Sequence, residues 1–294
     1  MKISGFTYIR NGFEYQYPFI ASIKSLLPIV DELIVVVGDS SDGTRDAIEE
    51  LGEVKIKIED SVWNNLLRSE GKLFAEQANI GVRKATGDWL IHLQADEVLM
   101  EDARDKILEC IERANSQDNI DGVLFPFLHF WGDYKHIRNT RRTHRFEIRA
   151  FKNNRNIFSF RDSQGFRKYG ENKTGKKLKV IKTKVIVFHY SYSRNPKLMR
   201  KKANYFKRFW HSDNWIKRNK NDKEFDFNQV DKLENYKGPH PEYIQDIINK
   251  KDWEFNYNPS KSNMKFKDRI LNTIEKLTRY RLFEYKNYKL MKNN

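Results

Sequence analysis

The chain has 294 residues and 39% hydrophobic residues, enough for one large domain or for a domain with an extension. Its single cysteine, Cys110, excludes an intrachain disulfide. The net charge of +15 is uneven, because residues 195–294 carry 24 Lys and Arg against 13 Asp and Glu, which predicts an anionic partner unless it reflects a genomic bias towards Lys and Asn.

Apolar periodicity divides the first half into alternating strands and helices. Strands are predicted where β-branched residues run together, and helices where apolar residues recur every three or four positions. In chain order the predicted elements are strand 3–9, helix 19–27, strand 33–37, helix 45–51, strand 54–58, helix 66–84, strand 89–93, helix 101–114 and strand 123–127. This order predicts an α/β fold with a mostly parallel sheet flanked by helices, which binds ligands at the carboxyl ends of its strands.

The second half is less regular. It contains predicted strands 146–151 and 180–188, a basic helix 196–211, a loop-rich segment 213–259 and an amphipathic helix 265–279. We therefore expect a domain over residues 1–194 and a basic, helical and loop-rich C-terminal extension over 195–294. Because no stretch has the length and apolar character of a membrane span or a signal peptide, we expect a cytoplasmic protein. Its basic C-terminal region is a candidate for peripheral contact with anionic membrane, and packing back on the domain is the alternative.

Polar residues follow the predicted strands at the points where those strands end. Strand 89–93 runs almost directly into Asp96 and Glu97, so at least one of these carboxylates is expected to leave the core. The first strand ends near Arg10 and the second near Asp39, and the ends of parallel strands meet at one edge. Carboxylate oxygens suit Mg²⁺ or Mn²⁺, and these ions usually bind substrate phosphates as well, so the segment is a candidate metal site. The simpler alternative is that the acidic residues only mark the start of a helix.

Five segments occur in an order and spacing that can be compared with known families: Arg10–Asn11, Asp31–Val37, Ser40–Thr44, Ala75–Gly81, and Ala85–Trp89 before the acidic motif. Together they resemble family 2 glycosyltransferases of the GT-A fold, well over the first hundred residues and more loosely as far as Tyr190. The resemblance implies a nucleotide-sugar donor, a glycan or lipid-linked acceptor, a divalent cation (Mn²⁺ or Mg²⁺) and mostly inversion. Residues 1–100 would form the nucleotide-sugar half of the domain, and residues 101–194 the acceptor half.

The resemblance also assigns metal ligands. The family's Asp-x-Asp motif maps onto Gln94, Ala95 and Asp96, so that Asp96 keeps the metal-ligand position. Gln94 replaces the first Asp; it can still bind a ribose hydroxyl, but it lowers the negative charge of the site. His189 resembles a late histidine that GT-A enzymes use as an additional metal ligand. The alternative for His189 is a histidine at a strand end, bonded to the backbone.

Donor-binding residues are expected at the strand ends and on helix 66–84. Asp39 is the nearest candidate for the family's base-reading carboxylate, displaced in register. Arg68 and Lys72, predicted to lie one helical turn apart, are candidate phosphate partners, as are Arg10 and Arg194; simple solvation is the alternative for each. The predicted donor-binding residues are Tyr8, Arg10, Asp39, Arg68, Lys72, Gln94 and Ala95.

An inverting transferase needs a general base for the acceptor hydroxyl. In the family this base lies between the metal motif and the late histidine, where Asp133, Glu147 and Asp162 are candidates. Asp162 lies in a polar segment between aromatic residues and is the predicted base, with an ordinary salt bridge as the alternative. Glu147 alternates with Arg145 and Arg149 and is expected to pair with them. Candidates for stacking on an acceptor sugar are Trp131, Tyr134, Tyr190 and Tyr192.

Two other classes of protein stay open. A nucleotidyltransferase can share such a sheet, but it usually has a Gly-rich basic loop after the first strand, where this chain has one glycine, Gly12. A non-enzymatic basic protein that binds nucleic acid or another polyanion fits the basic C-terminal region but leaves Asp96 and His189 without a role. We therefore expect no nucleic-acid partner.

Overall fold

The first half of the chain forms the predicted alternation of strands and helices. The computed structural model of the protein describes residues 1–170, 175–258 and 262–291. Up to residue 131 the elements are β1 (Ile3–Ile9), α1 (Phe19–Leu26), β2 (Glu32–Val37), α2 (Thr44–Glu49), β3 (Ile56–Asp60), α3 (Lys72–Lys84), β4 (Trp89–His92), β5 (Glu97–Val98), α4 (Ala103–Asn115) and β6 (Gly122–Trp131).

The second half adds short strands and the remaining helices. In chain order they are β7 (His136–Ile137), β8 (Phe146–Lys152), β9 (Ile157–Ser159), β10 (Phe166–Tyr169), β11 (Gly175–Lys177), β12 (Lys179–Lys182), β13 (Val187–Tyr192), α5 (Pro196–Phe206), α6 (Asp213–Arg218), β14 (Glu234–Asn235), α7 (Gln245–Asn249), α8 (Phe266–Thr278) and β15 (Lys289–Leu290). The predicted loop-rich segment 213–259 thus contains short elements, and its last residue lies outside the described residues.

The main sheet is mixed, with its parallel part at the N-terminal half of the chain. β1 pairs in parallel with β2 and β4, and β2 with β3. β8 lies antiparallel to both β4 and β6, and β6 runs parallel to β12 and β13. β9, β10 and β11 form a separate antiparallel sheet. The predicted α/β fold is confirmed, and the carboxyl ends of β1, β2 and β4 meet at one edge.

The core lies on both faces of this sheet. α1 and α4 pack on one face, and α3 packs on the other. Every residue of β2 is buried, as its continuous run of β-branched side chains predicts for a strand covered on both faces. Cys110 is buried on α4, where it packs with the core of the first face.

The predicted helix 66–84 begins later than expected, at Lys72. Glu70 and Gly71 have φ angles of 57° and 65°, which no α-helix accommodates, and only short 3₁₀ turns precede them. Glycine at position 71 lets the backbone lie close to the Asp162 loop, since a Cβ on Gly71 would lie 2.6 Å from the Cβ of Asp162. The start of α3 is therefore shaped by a loop ninety residues further along the chain.

The predicted strand 180–188 is two separate strands, β12 and β13, which pair with different parts of β6. As a result His189 lies inside β13 instead of following a strand. The predicted basic helix 196–211 ends at Phe206 and continues as a 3₁₀ turn over Lys207–Phe209.

Of the helices described in the C-terminal extension, α5 packs on the domain, whereas α6, α7 and α8 have no buried residue. α5 is buried through Met199 and Lys202, which favours the alternative of packing back on the domain. α8 has no buried residue. Within residues 1–170, 175–258 and 262–291, no helix combines the length and the apolar character needed to cross a bilayer.

Gly71→Ala is expected to destabilise the protein more than Gly52→Ala. The φ angles of Gly71 and Gly52 are 65° and 64°, so both variants place alanine in the left-handed region, at a cost of about 1–2 kcal/mol. A Cβ meets nothing within 4 Å at Gly52 but meets Asp162 at Gly71. We expect a further loss of about 1–3 kcal/mol in the free energy of unfolding of Gly71→Ala, measured by urea denaturation. Equal losses would show that the Asp162 loop moves aside freely.

Candidate active site

A cavity of about 480 Å³ lies at the carboxyl ends of β1 and β4. Its walls come from these strand ends, from the loop that carries Asp162 and from α5. The structure brings these predicted site residues together in its lining: Tyr8, Arg10, Gln94, Ala95, Asp96 and Asp162. The position agrees with the general rule that open α/β sheets bind ligands at strand carboxyl ends.

The turn after β4 carries two buried carboxylates. Asp96 and Glu97 are only 6% and 1% exposed, and of the two only Asp96 leaves the core, to line the cavity. Glu97 accepts hydrogen bonds from Nε and Nη2 of Arg149, at 2.7 and 2.5 Å, and from the backbone N–H of Gln94 at 3.1 Å. Burial is possible because each carboxylate has its own cationic partners.

Asp96 lies between the side chains of His189 and Lys202. Its Oδ1 is 3.6 Å from Nε2 of His189, and its Oδ2 is 3.6 Å from Nζ of Lys202. Burial by itself raises the pKa of Asp96, but His189, Lys202 and Arg194 outweigh burial and hold that pKa well below its ordinary value. Burial and Arg194 lower the pKa of Lys202 to about 7, against the opposing effect of Asp96. Asp96 is therefore an anion at any physiological pH.

The predicted metal ligands Asp96 and His189 thus lie together, and their metal role stays a prediction. Nδ1 of His189 is 2.8 Å from Nδ1 of His129, which leaves Nε2 directed at Asp96 and not at the backbone. Among the described residues no cluster of three or more His, Cys, Asp or Glu side chains is suited to hold a metal ion. One carboxylate, one imidazole and the ammonium of Lys202 beside the same carboxylate fit a hard divalent cation poorly.

A second polar group lies at the ends of β1 and β2. Nη2 of Arg10 is 2.9 Å from Oδ2 of Asp39, and Nη1 donates to the hydroxyl of Tyr205 at 2.8 Å. Oδ1 of Asp39 accepts from the backbone N–H of Trp63, whose ring centroid is 5.5 Å from the Arg10 guanidinium. Gly38 permits this packing, since a Cβ there would lie 2.6 Å from Nε1 of Trp63.

The structure does not bring Arg68 or Lys72 to the cavity. Arg68 donates from Nη1 to Asp213 at 2.7 Å, and Nζ of Lys72 is 3.2 Å from Glu70. The helical turn expected between them is absent because α3 begins only at Lys72.

Asp162 lines the cavity in a strained loop. Arg161 and Ser163 have φ angles of 53° and 64°, in a region that non-glycine residues rarely occupy. Oδ1 of Asp162 is buried and has no hydrogen-bond partner among the described residues, and burial raises the pKa of this carboxyl. Asp162 forms no salt bridge with another described residue, so the alternative considered for it is not observed there, and its role as a base stays a prediction.

Glu147 does not pair with its neighbouring arginines. Arg145 pairs with Glu284, and Arg149 pairs with Glu97, so the expected pairing is wrong. Oε2 of Glu147 is buried without a partner in the part of the chain that the structure describes, and burial raises the pKa of Glu147 to about 7.

Arg194 is fully buried next to the cavity. Its Nη1 donates to the carbonyl of Tyr15, and its guanidinium lies 4.8 Å from the ring centroid of Tyr17. Nε and Nη2 have no partner within the described residues, although they are buried. Arg194 is thus a buried cation with two donors that no described residue satisfies.

Most of the candidate sugar-stacking aromatics are core residues. Trp131, Tyr134 and Tyr190 are buried, and Nε1 of Trp131 donates to the carbonyl of Phe227 at 2.9 Å. Tyr192 alone of the four lines the cavity, and its ring stacks on Trp131 at 4.2 Å between centroids.

Sequence reasoning missed most of the aromatic and C-terminal lining of the cavity, including Trp63, Lys202 and Tyr205. A signal for Lys202 was present in the sequence. It follows Met199 by three positions and directly precedes Ala203, so it lies on the apolar side of the predicted helix instead of the cationic side. Trp63 and Tyr205 are ordinary aromatics in the sequence, and only packing reveals their position.

The sequence pattern of glycosyl transferase family 2 matches residues 7–174, which is more than half of the chain. The chain belongs to glycosyl transferase family 2. No curated protein matches it.

Several solved structures of glycosyltransferases overlap with part of this family 2 member. TarS of S. aureus has 12% identity and a TM-score of 0.41 over 70% of this chain and 39% of that chain. The mannosyltransferase PcManGT of Pyrobaculum calidifontis, in complex with GDP-Man and Mn²⁺, has 19% identity and a TM-score of 0.36 over 51% of this chain and 44% of that chain. The chain thus spans less than half of either protein, and family membership rests on the sequence pattern alone.

Glu147→Gln is expected to flatten the pH dependence of stability. The pKa of Glu147 is raised from 4.5 to about 7 in the folded state, so the unfolded chain releases this proton first. The stability from the protonated carboxyl is complete below pH 4.5 and is lost as the pH rises through 7. Relative to wild type, the variant should gain about 2–3 kcal/mol between pH 5 and pH 8, measured by urea denaturation. Glu53→Gln, at an exposed glutamate, is the control, and parallel curves for wild type and Glu147→Gln would contradict the raised pKa.

Proposed function

We propose that this family 2 member is an inverting glycosyltransferase that moves a sugar from a nucleotide-sugar donor to a glycan or lipid-linked acceptor. The observation that carries the proposal is the cavity at the ends of β1 and β4, where one anionic side chain, Asp96, is surrounded by buried cations. A diphosphate is the ligand whose charge complements such a site.

In this proposal the nucleoside and the diphosphate of the donor bind at two different ends of the cavity. The nucleobase and ribose lie at the end lined by Trp63 and Arg10, beside Asp39, which contacts both of these residues but does not itself line the cavity. The diphosphate lies deeper, towards Asp96 and Arg194. Tyr8, Gln94 and Ala95 line the wall between these two ends.

The transfer step uses Asp162 as the general base. The acceptor hydroxyl oxygen forms a bond to the anomeric carbon, and its proton passes to the carboxylate of Asp162. The bond between the anomeric carbon and the diphosphate oxygen breaks, and the diphosphate leaves with the electron pair. A carboxyl whose pKa is raised by burial accepts a proton more readily than an exposed one, which supports this role for Asp162.

Asp96 and His189 are the residues that would hold a divalent cation, which would supply positive charge at the diphosphate. Lys202 competes with it for the same carboxylate. In either case α5 completes the cavity, so the domain 1–194 and the extension 195–294 act as one catalytic unit in this proposal.

Asp162→Asn is expected to lower the rate of donor cleavage by about 100-fold or more, because general-base catalysis contributes at least that much. Donor cleavage is measured without an acceptor, with water as the attacking group, on UDP-GlcNAc, UDP-glucose and GDP-mannose. Nucleoside diphosphate affinity should stay within about threefold, since the base contacts the acceptor.

The control for this measurement is Asp118→Asn, at an exposed aspartate outside the cavity. An Asp162→Asn variant that cleaves the donor at the wild-type rate would assign the base to another carboxylate. Failure of wild type to cleave any donor or to bind any nucleoside diphosphate would contradict the proposed function itself.

We also propose that α8 makes the peripheral contact with anionic lipid. Phe266 and Leu277 are 79% and 80% exposed, and with Ile270 they share one face of the helix. Exposed Lys265, Lys267 and Lys276 surround this face, so apolar and cationic groups are presented together, as a lipid surface requires. The other side of α8 is anchored through Glu275, which pairs with Arg141 and Arg281.

Replacing Phe266 and Leu277 together with serine is expected to reduce binding to anionic vesicles at least about tenfold, because each apolar side chain contributes about 1.5–3 kcal/mol when buried. Flotation with phosphatidylglycerol vesicles measures this binding, and phosphatidylcholine vesicles test the charge requirement. Leu66→Ser, at a leucine that is 89% exposed elsewhere, is the control. Wild-type protein that stays unbound at low salt would rule out the lipid contact.

A further inference from the structure

Lys202 is a buried lysine in the wall of the cavity. It is 6% exposed, and its Nζ donates to Oγ of Ser191 at 2.9 Å and lies 3.6 Å from Oδ2 of Asp96. The rings of Tyr17 and Phe206 lie on other sides, with centroids 4.7 and 5.5 Å from Nζ. Lysine is rarely buried in this way, and a buried ammonium needs an anionic partner.

The buried charges around Lys202 are not balanced by the protein. Asp96 is the only carboxylate within ion-pair distance of Lys202 in the described part of the chain, and it also faces His189. Arg194 acts electrostatically on both Asp96 and Lys202, and two of its nitrogens lack partners among the described residues. Glu97, the neighbouring carboxylate, is fully engaged by Arg149. Two basic side chains, Arg194 and Lys202, therefore act on one carboxylate, Asp96, which is an excess of basic over acidic side chains around Lys202.

This excess distinguishes between the two kinds of ligand that the site can take. A divalent cation held by Asp96 and His189 would lie beside the ammonium of Lys202 and would increase the excess. A diphosphate would remove it, and would supply acceptors for Nζ of Lys202 and for the unpartnered nitrogens of Arg194. Gln94 also favours the diphosphate over the metal, because it is neutral at a position where a second carboxylate would attract a metal.

We propose that Lys202 takes the place of the divalent cation, so that the donor diphosphate binds to Lys202 and Arg194 and needs no metal. This inference deepens the proposed function and rests on it. During transfer the electron pair of the broken bond stays on the diphosphate, and the two side chains balance the negative charge that develops there. Lys202 belongs to α5, so the extension supplies the cation that the domain lacks.

The experiment is calorimetric titration of the full chain with UDP, GDP and dTDP, each in EDTA and in Mn²⁺. We expect one nucleoside diphosphate to bind wild type with affinities that agree within about threefold in the two buffers. Lys202→Met keeps most of the side-chain volume without the charge and should weaken binding about 10–100-fold, the effect of losing one charge-assisted hydrogen bond. Lys197→Met, at an exposed lysine of the same helix, should bind as wild type does.

Asp96→Asn gives a second comparison that does not depend on the folding of Lys202→Met. If Lys202 binds the diphosphate, loss of the competing carboxylate leaves the affinity unchanged or raises it. If a metal ion binds the diphosphate instead, Asp96→Asn removes a ligand of that metal, and the affinity for the nucleoside diphosphate falls.

The inference is overturned if wild type binds nucleotide only with Mn²⁺, or if Lys202→Met binds as tightly as wild type. Absence of binding to all three nucleotides in both buffers would overturn the proposed function, and with it the inference.

Discussion

The ion pair between Glu97 and Arg149 fixes the turn on which the cavity depends. Both side chains are almost completely buried, and the carboxylate also accepts from the backbone of Gln94. Loss of one partner of such a pair costs about 3–5 kcal/mol, because the other charge stays buried without compensation. The pair therefore holds the turn in a single conformation. Asp96 lies between Gln94 and Glu97 in this turn, and its side chain is directed towards the cavity and not into the core.

The cavity combines several features that are unfavourable in the free protein. Buried cations outnumber the carboxylate that they face, Arg194 has donors without acceptors, and Arg161 and Ser163 hold strained backbone angles beside Asp162. Each of these features reduces the stability of the folded state. In the proposed reaction a bound anion and an acceptor hydroxyl offset these costs, and the surrounding core of β1, β2 and α3 keeps the groups in place.

Sequence reasoning found the parts of the site that depend on local patterns. Tyr8, Arg10 and Asp96 follow from strand ends, because the carboxyl ends of parallel strands must meet at one edge. It failed where a distant segment decides the outcome. The expected pairing of Glu147 is wrong because Arg145 is taken by Glu284, well over a hundred residues away, and the helix start at Gly71 depends on the Asp162 loop. No periodicity within a short window contains such information.

The segment that decides the chemistry of the cavity lies outside the family pattern. That pattern matches residues 7–174 and includes Asp96, whereas His189, Arg194 and Lys202 all come later in the chain. A carboxylate at the end of β4 can bind a metal or pair with an ammonium. The sequence next to that carboxylate does not show which of the two it does. What distinguishes the two is the helix that covers the edge of the sheet, because a lysine on its apolar side delivers charge to a place that solvent does not reach. If the proposed mechanism holds, the family pattern accounts for where the donor binds, and the covering helix decides which cation neutralises it.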